Sequence, residues 1–180
     1  SLHQLRLLVH EIRALFPACR IVWDPILRTS SGADLLPEAR RENLLEVAEL
    51  VDVILPNHYE SHQLFGEITP GEWAKHTATA VIAKSAFCTE EDVTDRAYLP
   101  DGRLIESTAP RLGEDRHGTG CLYATTLCAA LARGEDYQEA LHAAQRATMH
   151  YRLGRGLEVP VRRLPLGRRM FVTHATTTAE

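Results

Sequence analysis

Four consecutive residues, Gly118, Thr119, Gly120 and Cys121, carry the clearest chemical signal in this sequence. Two glycines around a threonine let the backbone turn tightly and leave room for a ligand beside it. Residues 122–133 are apolar and alanine-rich with helical spacing, so we expect the turn to open a helix. The unpaired N–H groups of a helix N-terminus bind anions, and their field favours a thiolate at Cys121. The pattern indicates an anion site, although such a turn could also merely begin a buried helix.

Four further polar residues follow short apolar segments that resemble strands. Asp24 ends the first segment, Asn57 and Glu60 follow the second, and Lys84 ends the third. Carboxylate and amide oxygens suit Mg²⁺, and a lysine can neutralise phosphate groups. Taken singly, these residues could equally form a turn, a helix cap or a solvated strand end. Together with the glycine turn they suit phosphoryl transfer, which consists mostly of positioning and charge neutralisation.

Helical and extended patterns alternate along the chain. Helices are predicted over residues 2–16, 37–51, about 60–65, 71–79, 122–133 and 137–153, and strands over 20–24, 52–55, 80–84, 96–99 and 103–108. A Pro-Asp-Gly turn at residues 100–102 predicts that the last two strands form a hairpin. The first three strands are continuously apolar, which is typical of a parallel sheet covered on both faces. We therefore expect an α/β fold with a doubly wound, mostly parallel sheet sandwiched by helices.

The predicted topology brings the polar residues together. In doubly wound sheets, ligands bind beyond the carboxyl ends of the strands. Asp24, Asn57, Glu60 and Lys84 all follow strands, and the glycine turn follows the last extended segment. We expect them to share one rim of the sheet.

Composition limits the possible functions. The 180 residues are 44% hydrophobic and 24% charged, with a net charge of -4, as in a single soluble domain. The negative charge and a pI near 6.1 argue against a nucleic-acid binder. No apolar stretch approaches the roughly 20 residues that span a bilayer. Four cysteines without CxxC spacing indicate a reducing compartment. We expect a cytoplasmic protein without membrane or nucleic-acid partners.

The segments WDPILRTSSGADLL, LPNHYESHQLFGE, VIAK and HGTGC, in this order and spacing, resemble the ribokinase-like superfamily. Within it they look most like the hydroxymethylpyrimidine/phosphomethylpyrimidine kinases of thiamine biosynthesis, because Cys121 stands where most relatives have Asp. The resemblance runs from about residue 9 to residue 155. It implies ATP-dependent phosphorylation of 4-amino-5-hydroxymethyl-2-methylpyrimidine and of its monophosphate, with ATP and Mg²⁺ as cofactors. We also expect a homodimer.

The resemblance also implies a role for each site residue. Gly118, Thr119, Gly120 and Cys121 would form the anion hole, and Cys121 would also take the position of the catalytic base. Two further positions, Asn57 and Glu60, would serve Mg²⁺ and the phosphates, Asp24 would lie near the metal, and Lys84 near the ATP phosphates.

The chain departs from the family pattern in three places. The opening strand and glycine-rich substrate loop of the family have no counterpart, so residues 1–155 would form a partial kinase domain and residues 156–180 an irregular tail. Lys84 is followed by Ser-Ala instead of the usual Gly-Gly. His58 and Tyr59 replace Leu-Pro, and His58 and His62 lack the third ligand that a zinc site requires.

Two other functions remain open at this point. A pyridoxal or pyridoxine kinase would use the same fold and anion hole, although Cys121 disfavours it. A non-catalytic nucleotide-binding module is the alternative if the first part of the fold is truly absent.

Overall fold

The computed structural model describes residues 1–29, 32–36, 39–114 and 116–155, together with the backbone of residues 171–173. In chain order the helices are α1 (Leu2–Leu15), α2 (Arg41–Ala48), α3 (His58–Phe65), α4 (Pro70–His76), α5 (Thr119–Arg133) and α6 (Tyr137–Arg152). The strands are β1 (Ile21–Trp23), β2 (Val53–Ile54), β3 (Ala80–Cys88), β4 (Asp92–Tyr98), β5 (Leu104–Pro110) and β6 (Phe171–Thr173).

The strands form one mixed sheet in the order β5-β4-β3-β2-β1-β6. Strands β6, β1, β2 and β3 run parallel to one another, whereas β4 and β5 form the antiparallel hairpin expected from the turn at residues 100–102. The predicted α/β fold with a doubly wound, mostly parallel sheet is confirmed.

Helices cover both faces of the sheet because successive strand residues point to opposite sides. Ile21 and Trp23 pack with α1, α2, α3 and α4, while Val22 between them packs with α5 and α6. Strands β1 and β2 are buried at every position, which explains their continuously apolar sequence.

The predicted irregular tail needs one correction. The backbone of Phe171–Thr173 forms β6 and pairs in parallel with β1, and the rest of residues 156–180 lies outside the described residues. A three-residue segment of aromatic and β-branched residues is too short to show a period in the sequence. The open edge of β1 supplies its hydrogen-bonding partners.

Several predicted boundaries were also wrong. Helix α2 forms over Arg41–Ala48 instead of 37–51, because Arg40 is extended (ψ 150°), and residues 37–38 lie outside the described part. Thr77 is likewise extended and ends α4 early. Strand β3 continues past Lys84 to Cys88, and β4 begins at Asp92, because the two pair along an exposed hairpin whose polar residues hid the pattern.

The start of β3 depends on one buried hydroxyl. The side chain of Thr79 is fully buried, and its Oγ1 lies 3.0 Å from the Ala48 carbonyl oxygen and 2.8 Å from that of Val51. Thr79→Val keeps the shape but removes the donor. We expect a loss of about 1–3 kcal/mol in the free energy of unfolding, measured with urea.

The matched control is Thr125→Val, which makes the same change at an exposed position of α5. It should change stability by less than about 0.5 kcal/mol. Equal losses in the two variants would show that the Thr79 hydroxyl does not anchor the strand.

Candidate functional site

Hydrogen bonds just beyond β1, β2 and β3 align the carboxyl ends of these strands. The Leu55 N–H donates to the Trp23 carbonyl at 2.9 Å, and the Lys84 N–H donates to the Pro56 carbonyl at 2.9 Å. Asp24, Asn57 and Lys84 therefore follow one another across the same edge of the sheet, as the sequence predicts.

A buried ion pair joins the outer two of these strands. Lys84 Nζ lies 2.5 Å from Asp24 Oδ1, and the two side chains are only 12% and 2% exposed. The other carboxylate oxygen of Asp24, Oδ2, is buried and has no hydrogen-bond partner within the described part of the chain. An orphaned, buried carboxylate oxygen is an available ligand for a cation.

Glu60 lies at the same edge and closes the start of α3. Its Oε2 accepts the Asn57 N–H at 2.8 Å, and Asn57 Oδ1 accepts the Glu60 N–H at 2.9 Å, which forms a capping box. Burial raises the pKa of the Glu60 carboxyl, the positive charge of Lys84 lowers it, and the negative charge of Asp24 raises it further. Glu60 is thus a structural cap that also interacts electrostatically with the ion pair.

The first turn of α5 faces that ion pair. Helix α5 begins at Thr119, three residues earlier than predicted, because Gly118 adopts the left-handed conformation (φ 87°) as its N-cap. The first i→i−4 bond runs from the Leu122 N–H to the Gly118 carbonyl, so the N–H groups of residues 119–121 precede it. The Thr119 N–H donates to the Arg116 carbonyl at 3.4 Å, which leaves those of Gly120 and Cys121 for a ligand. A Cβ atom built at Gly120 would have Lys84 Nζ, at 4.0 Å, as its nearest neighbour.

Cys121 follows Gly120 in this turn and is partly buried. Burial raises the pKa of the Cys121 thiol, the negative charge of Asp24 raises it further, and the positive charge of Lys84 lowers it. The sequence predicted that the helix N-terminus would favour a thiolate, but burial and a neighbouring carboxylate oppose that field. Together these effects favour the uncharged thiol over the thiolate.

A cavity of about 270 Å³ opens beside the ion pair, between the β3-β4-β5 strands and helices α5 and α6. Lys84, Thr119 and Gly120 line it where it meets the sheet edge, and apolar side chains line much of the rest, among them Val93, Ala109, Leu112 and Met149.

Sequence reasoning missed the buried polar groups of this cavity. Asp95 and Gln145 line it and are 3% and 6% exposed, and Gln145 forms two hydrogen bonds with Ser107, of 2.6 Å to its hydroxyl and 2.8 Å to its carbonyl. One signal was available: Gln145 directly follows Ala144 on the buried face of α6, where a polar side chain needs a partner.

His58 and His62 lie four residues apart, a spacing that zinc ligands can have, but the sequence offers no third ligand. His58 and His62 are both exposed. Within the described ranges, no group of three or more His, Cys, Asp or Glu side chains could hold a metal ion. Asp24 and Glu60 supply two carboxylates, which suits a cation that keeps most of its ligands as water.

The helices that the structure describes include none that combines the length and the apolar character needed to cross a membrane.

Comparisons with known proteins agree with this architecture. The family model described as phosphomethylpyrimidine kinase matches residues 2–159. The hydroxymethylpyrimidine/phosphomethylpyrimidine kinase of Haemophilus influenzae is 34% identical over 143 residues, which are 72% of this chain and 53% of that protein. The thiamine biosynthesis multifunctional protein ThiED of Corynebacterium glutamicum is 32% identical over 88% of this chain and 23% of its own length.

Among solved structures, the pyridoxal kinase of Staphylococcus aureus in complex with pyridoxal superposes with a TM-score of 0.68 at 19% identity, covering 89% of this chain and 61% of that one. At that identity the likeness concerns the fold. The chain spans only about a quarter of the length of the multifunctional protein from Corynebacterium glutamicum and about half of the length of the Haemophilus influenzae kinase.

The electrostatic environment of Cys121 yields a direct test. Because the negative charge of Asp24 helps to raise the thiol pKa, Asp24→Asn should increase the thiolate fraction. We expect alkylation of Cys121 by iodoacetamide at pH 8 to become about three- to tenfold faster. The measurement is peptide mass spectrometry in a Cys88→Ser background, since Cys88 is exposed and reactive in its own right.

The control is Asp101→Asn, in the hairpin turn at the opposite end of the sheet, where Asp101 pairs with Arg103. This change should leave the Cys121 rate unaltered. If Asp24→Asn slows the reaction, or if both variants speed it equally, the assigned cause of the pKa shift is wrong.

Proposed function

The chain belongs to the phosphomethylpyrimidine kinase family, and from that membership we propose that it transfers a phosphoryl group from ATP to 4-amino-5-hydroxymethyl-2-methylpyrimidine and then to the monophosphate formed. One observation carries the proposal: the Lys84–Asp24 ion pair faces the first turn of α5 at Gly120 across the carboxyl edge of the sheet. That arrangement places a cation and a set of backbone donors on two sides of one anion-sized space.

The cavity suits the nucleotide of ATP. Its polar end contains Lys84, Thr119 and Gly120, and its apolar walls fit the base and sugar. With the base in the cavity, the phosphates extend toward Lys84 and the start of α5, where the transferred group would lie.

The N–H groups of Gly120 and Cys121 would stabilise the charge of the transferred phosphoryl group. They are fixed by the helix before any ligand arrives, so they need no reorganisation during the reaction. Lys84 would move its ammonium group from Asp24 toward the phosphates and neutralise them.

Asp24 and Glu60 would hold Mg²⁺, mainly through water molecules. The buried Asp24 Oδ2 without a partner and the nearby Glu60 carboxyl fit a hard, oxygen-loving cation. When bound, the ion neutralises phosphate charge.

Cys121 would accept the proton of the attacking hydroxyl group. Because its thiol pKa is raised in the free protein, it must lose its proton before it can act as a base. Homodimer formation and a cytoplasmic location remain predictions.

The proposal is tested by assaying the purified chain with ATP, Mg²⁺ and the pyrimidine alcohol, with pyridoxal as a parallel substrate. We expect phosphorylated pyrimidine. Turnover of pyridoxal alone would favour the other kinase, and ATP binding without transfer to either alcohol would favour a nucleotide-binding module.

A substitution at Gly120 can block the anion site without disturbing the fold. A Cβ atom there meets no atom closer than 4.0 Å, so the free protein can accommodate a side chain. Gly120→Val places methyl groups where the phosphoryl group would lie, and we expect kcat to fall about 100- to 1000-fold with little change in thermal stability. The control is Ala129→Val, at an exposed position of the same helix.

The outcome that would contradict the anion site is a Gly120→Val variant whose turnover matches that of Ala129→Val.

The base role of Cys121 predicts a pH profile. Since burial and Asp24 raise the thiol pKa, kcat/KM should increase with pH across the neutral range as the thiolate forms. Cys121→Ser removes an effective base and should lose about 100- to 10,000-fold in rate. Cys121→Asp provides a carboxylate, and because an ordinary carboxyl pKa is near 4, this group is already ionised at neutral pH. The activity of this variant should therefore be nearly independent of pH between about 6 and 9.

If the serine variant retains full activity with the same pH profile, positioning alone drives the reaction and Cys121 only begins the helix.

A further inference from the structure

The residue after Lys84 has an unusual backbone conformation. Ser85 has a φ of 51°, in the left-handed region, and among the residues that the structure describes it is the only residue other than glycine with a positive φ. That conformation costs a non-glycine residue on the order of 1 kcal/mol, so neighbouring groups must hold it.

The strain coincides with a break in the strand pairing. The register between β3 and β4 shifts between Ala83 and Phe87, so the ladder is interrupted at residues 84–86, which include Lys84 and Ser85. At such a bulge the backbone N–H groups lose their regular cross-strand acceptors.

A buried carboxylate takes the place of the missing acceptor. Asp95 Oδ1 accepts the Ser85 N–H at 2.7 Å, and the Asp95 side chain belongs to a residue that is only 3% exposed. Burial raises the pKa of Asp95, while the Ser85 N–H, the side chains of Tyr123 and Gln145 and the charge of Lys84 lower it. Burying a carboxylate is costly unless it is hydrogen-bonded, and here it accepts a hydrogen bond from the strained residue.

The bond at Ser85 is one of two that fix the backbone around Lys84. The Lys84 N–H donates to the Pro56 carbonyl at 2.9 Å on one side, and the Ser85 N–H donates to Asp95 on the other. From this fixed backbone segment the Lys84 side chain extends to Asp24 and lies opposite Gly120.

We propose that Asp95 is a positioning residue: by holding the Ser85 N–H it maintains the bulge that places the Lys84 ammonium group against Asp24 and the start of α5. The proposal rests on the proposed function in one respect, namely that Lys84 meets phosphate. Asp95 lines the cavity proposed for the nucleotide, but holding the Ser85 N–H requires no contact between Asp95 and phosphate or substrate.

The lysine content of the chain allows a test that needs no ligand. Lys75 and Lys84 are the only lysines in the sequence, and Lys75 is exposed. Acetylation with a small amount of acetic anhydride, followed by peptide mass spectrometry, therefore measures the reactivity of Lys84 against an internal reference. In the protein without substitutions, Lys84 should react far more slowly than Lys75, because the Lys84 side chain is only 12% exposed and is paired with Asp24.

Asp95→Ala should raise the Lys84-to-Lys75 labelling ratio about tenfold, as expected when one buried hydrogen bond is lost. Asp95→Asn keeps an oxygen that can accept the Ser85 N–H, so its labelling ratio should stay within about twofold of the ratio in the protein without substitutions. Adding Ser85→Gly to Asp95→Ala should restore most of the protection, because glycine adopts a positive φ without strain.

Ser107→Ala is the matched control. Ser107 lies opposite Asp95 in the β4–β5 ladder and belongs to the same buried polar group through Gln145, but it does not contact Ser85. It should lower the thermal stability and leave the labelling ratio unchanged. Should Asp95→Ala fail to fold, Asp95→Leu removes the acceptor while filling the space, and the same ratio is measured.

The proposal is overturned if the ratio does not change in the folded alanine or leucine variant, or if Ser107→Ala changes it equally. It is also overturned if glycine at position 85 gives no rescue. The ADP affinity of the same variants tests the proposed function separately. If the labelling of Lys84 rises while the ADP affinity is unchanged, Asp95 has the positioning role, but Lys84 does not bind phosphate.

Discussion

The arrangement of the site depends on one requirement, that the charge of a nearly buried lysine be paired. Lys84 comes from β3 and Asp24 follows β1, so their ion pair spans the end of β2, which lies between them. Removing two charges from water costs several kcal/mol each, and a buried pair recovers this only with good geometry. The pair is therefore poor evidence for stability. It is better explained as a charge held ready for a ligand at the open edge of the sheet.

That single ammonium group influences three titratable groups around it. Its positive charge lowers the pKa of Glu60, of Asp95 and of Cys121, in each case against a larger effect of burial. Three carboxylates, those of Asp24, Glu60 and Asp95, thus surround the Lys84 ammonium group at this edge. An anionic ligand such as a nucleoside triphosphate would be repelled by this excess of negative charge unless it brought a cation of its own. The charge balance is the physical reason to propose Mg²⁺ at Asp24 and Glu60.

The sequence revealed the parts of the structure that local patterns determine. Continuous apolar segments predicted the buried strands, and the predicted rim brought Asp24, Lys84 and Gly120 together, because parallel strands end at the same edge. The start of α5 was misplaced because Thr119 and Gly120 have no apolar periodicity, although a left-handed glycine before them initiates the helix. Asp95 was missed because its partner Ser85 lies ten residues away across a bulge that only the paired strands define.

The thiol at position 121 also fits the charge balance. A carboxylate there would add another negative charge close to Asp24 and to the place proposed for the phosphates. Burial and Asp24 raise the pKa of the Cys121 thiol, which favours the uncharged form, and that form does not repel an arriving anion. In the proposed reaction the ligand's own cation would offset the charge of Asp24 and thereby remove one cause of the raised pKa. Binding and activation of the base would then be coupled through the same carboxylate.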